Sequence, residues 1–128
     1  MNINDKEKFL KHLLYGCKTR ALSAGLQYDL DIDFIIKLYD SQDGKCALSG
    51  IQMETVRQSG KNIFNASIDR IIPGFGYTKD NVRLVCNHIN MMRSNLEDEQ
   101  LIQFCKAIVE YDKLNKHKTS YTINEKGE

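Results

Sequence analysis

The sequence predicts a single α+β domain over residues 1–128, and three observations lead there. Both ends carry apolar residues at three- and four-residue steps, the spacing of an amphipathic helix. Residues 45–72 instead break into short apolar pieces separated by Gly and polar residues, the texture of strands and turns. With 128 residues, 41% hydrophobic and 27% charged, the chain has the composition of one globular domain, neither disordered nor fibrous. No apolar run approaches the roughly 20 residues of a membrane span. The opening Met1-Asn2-Ile3-Asn4-Asp5 lacks a signal peptide's apolar core. A cytoplasmic protein without a membrane partner is the expectation.

Each element has its own warrant. Residues 5–24 form the first expected helix, with Phe9, Leu13, Leu14, Cys17, Ala21 and Leu22 on one stripe and Gly25 as its stop. A second helix fits 32–42, with Asp31 as N-cap and Phe34, Ile35, Leu38 and Tyr39 as its apolar face. Asp43-Gly44 then turns the chain. Cys46-Ala47-Leu48, Ile51-Gln52-Met53, Ile63-Phe64 and Ala66-Ser67-Ile68 read as hairpin strands, interrupted by Gly50 and by Gln58-Ser59-Gly60-Lys61-Asn62. The single proline opens a loop, Pro73-Gly74-Phe75-Gly76. Lys79-Asp80-Asn81-Val82 leads into a short helix around 84–92. Ser94 or Asn95 caps a long helix over 96–115, with Leu101, Phe104, Cys105, Ile108, Tyr111 and Leu114 on one face. The polar tail, 117–128, is expected to fray.

Charge and cysteine usage narrow the function. The net charge of +1 conceals an uneven distribution. Residues 29–43 carry five Asp against Lys37, a local −4, whereas 57–95 carry six Lys and Arg against Asp69 and Asp80, a local +4. Residues 5–20 are +3 and 96–128 are −2. A chain so divided can turn a basic face to phosphate although its total is near zero. Cys17, Cys46, Cys86 and Cys105 form no CxxC pair, which fits reduced, buried thiols better than a disulfide framework.

The informative segment is Ala66-Ser67-Ile68-Asp69-Arg70-Ile71-Ile72-Pro73, with Gly76-Tyr77-Thr78-Lys79-Asp80-Asn81-Val82 and Val85-Cys86-Asn87-His88-Ile89-Asn90 after it. Together with Cys46-Ala47-Leu48-Ser49-Gly50 it resembles the core of the HNH, or ββα-metal, endonucleases, specifically a phage and bacterial branch, over about residues 45–95. The resemblance implies a ββα-metal core flanked by two N-terminal helices and a long C-terminal one. It implies a metal-dependent enzyme that cuts or nicks DNA, with Asp69 and Asn90 as metal ligands and Asn81 ordering the loop. A carboxylate and an amide oxygen are hard ligands suited to Mg²⁺ or Mn²⁺, and they leave open positions for phosphate and water. Arg83, Arg93, His88 and Lys79 are the candidate DNA phosphate contacts.

Two departures from the family pattern matter. The family's general-base histidine is replaced by Arg70, which stays protonated and cannot serve as an ordinary base. Hydroxide from metal- or phosphate-assisted water, with Arg70 stabilising the transition state, is the preferred repair. His88 or His12 as substitute base, and a catalytically degenerate DNA-binding protein, are the alternatives. His88 stands two positions before Asn90, which turns it to another helix face. The second departure concerns structural zinc. Ser49 and Ile89 stand where the second cysteine of each CxxC pair would be, so no zinc is expected. Arg20 with Lys11 and Lys18 on the first helix reads as a DNA-backbone contact or, by preference, an exposed basic face; Tyr77 as a residue that stacks on a base or sugar or packs under the hairpin; and Met91 and Met92 as core. A protein-interaction domain with a merely basic surface is the most distant alternative.

Overall fold

A computed structural model of the chain describes residues 3–56 and 62–127, with side chains over 5–56 and 62–116. Arg57 and the Gln58-Ser59-Gly60-Lys61 part of the expected turn lie outside the described residues. The chain divides into two units, Met1–Asn95 and Leu96–Glu128.

In the first unit, α1 (Ile3–Ala24) ends where Gly25 takes a positive φ of 68°, a conformation that costs glycine little. Helix α2 (Ile32–Ser41) begins at Asp31, whose Oδ1 accepts the Phe34 N–H at 2.8 Å, the expected N-cap. Phe9, Leu10, Leu14, Cys17 and Ala21 of α1 join Ile35 of α2 in one buried core with Ile68, Val82, Leu84 and Val85.

Two paired strands follow, and they differ from those expected. Strand β1 (Ala66–Arg70) runs antiparallel to β2 (Val82–Cys86), with Ser67 opposite Val85, Ile68 opposite Leu84 and Asp69 opposite Arg83. Residues 84–86, assigned to a helix by the sequence reading, are therefore strand. A short apolar run has no period to separate the two states, and the β-branched Val82 and Val85 favour the sheet. Asp69 sits on the first strand of this hairpin. Residues 45–56 make only isolated bridges, Lys45 with Gln52 and Glu54 with Asn65. The free edge of β2 is covered by a side chain: Gln42 donates to Leu84 O at 2.9 Å and accepts from Leu84 N at 3.0 Å, as a neighbouring strand would.

Helix α3 (Asn87–Arg93) follows β2 directly and packs across the hairpin. Its Met91 and Met92 are 65% and 51% exposed, contrary to the expectation of core, because Asn90 and Arg93 occupy the inward face instead.

In the second unit, α4 (Asp98–Gly127) starts later and ends later than its sequence suggests. Glu97, not Ser94 or Asn95, is the capping position: its carbonyl accepts from Leu101 N and its own N–H donates to Gln100 Oε1 at 3.0 Å. The helix also continues through the polar tail, where a frayed end was expected. No described helix is long and apolar enough to cross a membrane.

Candidate nucleic-acid site

The crossing of β1 and α3 builds the site. Ser67 and Asp69 are two apart on a strand and so share a face, while Asn90 and Arg93 are three apart on a helix and share another. The two faces meet as two bonded pairs. Asn90 Nδ2 donates to Ser67 Oγ at 3.1 Å, and Arg93 Nη1 donates to Asp69 Oδ1 at 2.6 Å. The strand period of two thus locks into the helix period of three. Ser67, which sequence reasoning did not single out, anchors the α3 asparagine and itself donates to Val85 O at 3.0 Å.

Asp69 is only 2% exposed, and both of its oxygens are engaged. Arg83, directly across the ladder, donates from Nε to Oδ2 at 2.8 Å, and Arg93 holds Oδ1. Arg93 is 1% exposed and also donates to the carbonyls of Arg70 and Ile71 at 3.0 and 2.7 Å. Arg93, expected as a DNA phosphate contact, spends its guanidinium on these protein partners and closes the end of β1 from inside.

Asn81 is buried and knots the 71–80 loop. Its side chain accepts from Ile72 N at 3.0 Å and donates to Gly76 O at 2.9 Å, and its backbone carbonyl accepts from Ile71 N. An asparagine does this well because its amide matches a backbone unit in donors and acceptors.

The outward side of the same strand end is an open cleft of about 310 Å³, with Arg20, Arg70 and Arg93 as its cations and Asp69 as its acid. Asn90 and Tyr77 also line it. Arg70 donates to Phe75 O at 3.0 Å and its guanidinium lies 5.1 Å from the Tyr77 ring centroid. Arg20 reaches the same ring from α1, donating to the Tyr77 hydroxyl at 3.3 Å and to the Cys17 thiol at 3.4 Å. Burial by itself would lower the Arg20 pKa, but the Tyr77 and Cys17 contacts outweigh it and hold it above its ordinary value. Arg20 is thus part of the cleft rather than of a separate basic helix face.

The remaining candidates lie elsewhere. Lys79 turns away to α2, 3.3 Å from Asp31, and its N–H donates to Asp29 Oδ1. His88 and His12 are exposed and do not line the cleft. Cys46 and Cys86 are buried neighbours: the Cys86 N–H donates to Cys46 Sγ at 3.3 Å. Burial, and then the adjacent Cys46, push the Cys86 thiol up to about 11. Among the described residues no three His, Cys, Asp or Glu side chains converge as a metal cluster.

The donor set beside the cleft suits one hard divalent cation. Asn90 uses its amide nitrogen on Ser67, which leaves its amide oxygen for a ligand, and a carboxylate oxygen that accepts one guanidinium bond keeps a second lone pair. With two arginines already neutralising Asp69, such a cation needs further negative charge. Mg²⁺ is characteristically held by one or two carboxylates together with substrate phosphates, so a phosphate-bearing ligand would complete such a site.

The strand–strand–helix unit, with its asparagine-knotted loop, makes a mixed α+β fold. A solved structure has the same architecture: the rare-cutting HNH restriction endonuclease PacI, described for its perturbation of DNA. It superimposes with a TM-score of 0.59 at 20% identity, over 80% of this chain and 78% of that one. No protein-family model matches the chain, and no curated protein matches it.

Proposed function

We propose that the chain is a divalent-metal-dependent DNA endonuclease of HNH type, hydrolysing or nicking phosphodiester bonds. The observation that carries this reading is the convergence of Asp69, Asn90 and Arg70 on one open, cationic cleft. Asp69 and Asn90 are the residues that would hold Mg²⁺ or Mn²⁺. When bound, the cation offsets charge developing on the leaving oxygen. Arg83 and Arg93 hold the Asp69 carboxylate fixed in direction. Arg70, at the position of the usual base, takes no proton, and its role is to hold a non-bridging phosphate oxygen as charge builds there. Asn81 keeps the loop that presents Phe75 O to Arg70 in one conformation.

One observation favours a second reading. Both Asp69 oxygens are engaged by guanidinium groups, as they would be in a DNA-binding protein whose nuclease core no longer turns over. Incubation of supercoiled plasmid with Mg²⁺ or Mn²⁺ separates the two. The endonuclease nicks or linearises the plasmid, and Asp69→Ala and Asn90→Ala each slow it by at least about 10²-fold, the loss typical of one electrostatic stabiliser. Retention of DNA without cleavage in either cation supports the second reading. Unchanged rates in both variants sink the site assignment.

A further inference from the structure

Arg20 lies on α1, outside the 45–95 segment that carries the family resemblance, yet its guanidinium, like that of Arg70, approaches the Tyr77 ring, and both line the same cleft. We propose that Arg20 and Arg70, mounted together on Tyr77, form a two-armed clamp for a backbone phosphate of the bound nucleic acid. This rests on the DNA reading above and adds α1 to the binding machinery.

The two arms are cations without acids. The ion pairs between described side chains engage Lys6, Lys11, Lys79, Arg83 and Arg93, and neither Arg20 nor Arg70 has a carboxylate in reach. Asp69, the acid of the cleft, is already neutralised by its own pair of arginines. The thiol next to Arg20 does not compensate it either, since burial raises the Cys17 pKa and keeps it protonated, against the pull of Arg20. Two guanidinium groups gathered on one ring repel each other, and an anion between them relieves that repulsion. Guanidinium also matches phosphate in shape, with paired N–H donors for paired oxygens.

The mount is rigid. Tyr77 is 7% exposed, and its backbone is stitched to the α1–α2 connection by Tyr77 N to Gln27 O at 2.9 Å and Asp29 N to Tyr77 O at 3.2 Å. Gly76, just before it, approaches so closely that a Cβ there would stand 2.6 Å from Gln27 O. On the other side Gly16 makes room for the Arg20 head, since a Cβ at 16 would lie 3.2 Å from Arg20 Nη1.

The test measures binding without any metal. Short duplex DNA is titrated by fluorescence anisotropy across a salt series in EDTA, with native chain, Arg20→Ala and Arg20→Lys. Inorganic phosphate is then titrated while the arginine Nε–H signals are followed by NMR. The clamp requires that Arg20→Ala bind about 10-fold more weakly with a salt slope shallower by about one. Arg20→Lys should keep the slope but recover only part of the affinity, because it lacks the paired donors. Phosphate should shift both the Arg20 and Arg70 signals. Native affinity and slope in Arg20→Ala, or phosphate shifts at neither arginine, overturn the clamp. Cleavage by the native chain with unaltered Arg20→Ala binding removes the clamp and leaves the endonuclease. Arginine-dependent binding without cleavage does the reverse, and neither binding nor cleavage removes both.

Discussion

The two sides of the β1 end handle charge in opposite ways. Inside, Asp69, Arg83 and Arg93 answer one another: the acid is 2% exposed, and its guanidinium partners stand at 2.8 and 2.6 Å. Outside, one residue further along, Arg70 shares the Tyr77 ring with Arg20, and among the described residues neither forms an ion pair with a carboxylate. The same residue type therefore does two jobs a few ångströms apart. Where arginine is buried and paired, its removal is paid for in stability; where it is unpaired and open, its removal should show in ligand binding. The contrast teaches that a residue's neighbours, rather than its identity or its place in a motif, decide whether it belongs to the fold or to the function.

The comparison can be broken most forcefully from its closed side. Arg93→Ala leaves Asp69 with one partner and strips the Arg70 and Ile71 carbonyls of their donor. Loss of one partner from a buried pair costs about 3–5 kcal/mol, so urea unfolding should show a correspondingly lower stability. Gly76→Ala comes next, because its Cβ meets the Gln27 backbone, which cannot swing aside. A cost of about 1–3 kcal/mol is expected, together with weaker DNA binding as Tyr77 shifts. On the open side, Arg20→Ala should change the unfolding free energy by no more than about 0.5 kcal/mol while weakening DNA binding. Equal losses of stability in Arg93→Ala and Arg20→Ala would erase the distinction.

The smallest effect expected is one of pH. The Cys86 thiol is raised from 9.0 to about 11, so its contribution to stability is complete below about pH 9 and is lost as pH rises through about 11. Cys17, also raised by burial, acts in the same direction. Cys46 is opposed by its own burial, but hydrogen bonds from Ser49 and the Cys86 N–H lower its pKa, so it favours the folded state only as pH climbs toward 9. Urea midpoints between pH 9 and 11 should fall, and fall less steeply in Cys86→Ala. Parallel slopes in the two proteins would contradict the assignment.

Much of the frame was legible because its signals are local. The Asp31 cap, the Gly25 stop and the α1 stripe are read within a few residues and stand as expected. The Asp69, Arg70 and Asn90 convergence was legible only through the family spacing. What escaped the sequence depends on distant partners. Strand β2 is indistinguishable from a buried helical turn until Ala66–Arg70 and the Gln42 side chain pair with it. The pairing of Lys79 with Asp31, the N-cap of α2, has no local signal either. Nothing near Arg93 in the sequence points to its bond with Asp69, and Arg20 shares the Tyr77 ring with Arg70 across fifty residues of chain. Long arginine side chains are the hardest to assign, because their reach lets tertiary packing choose among several neighbours.

The claim at the centre is that chemistry occurs at the open, cationic end of β1. Cleavage of supercoiled plasmid by the native chain, Arg70→Ala and Lys79→Ala, measured side by side with Mg²⁺, tests it most directly. Lys79 is an equal charge in the same basic stretch but is tied to Asp31 outside the cleft. The expected result is a rate at least about 10²-fold lower for Arg70→Ala and close to native for Lys79→Ala. Native cleavage in Arg70→Ala, or equal losses in both variants, would contradict it.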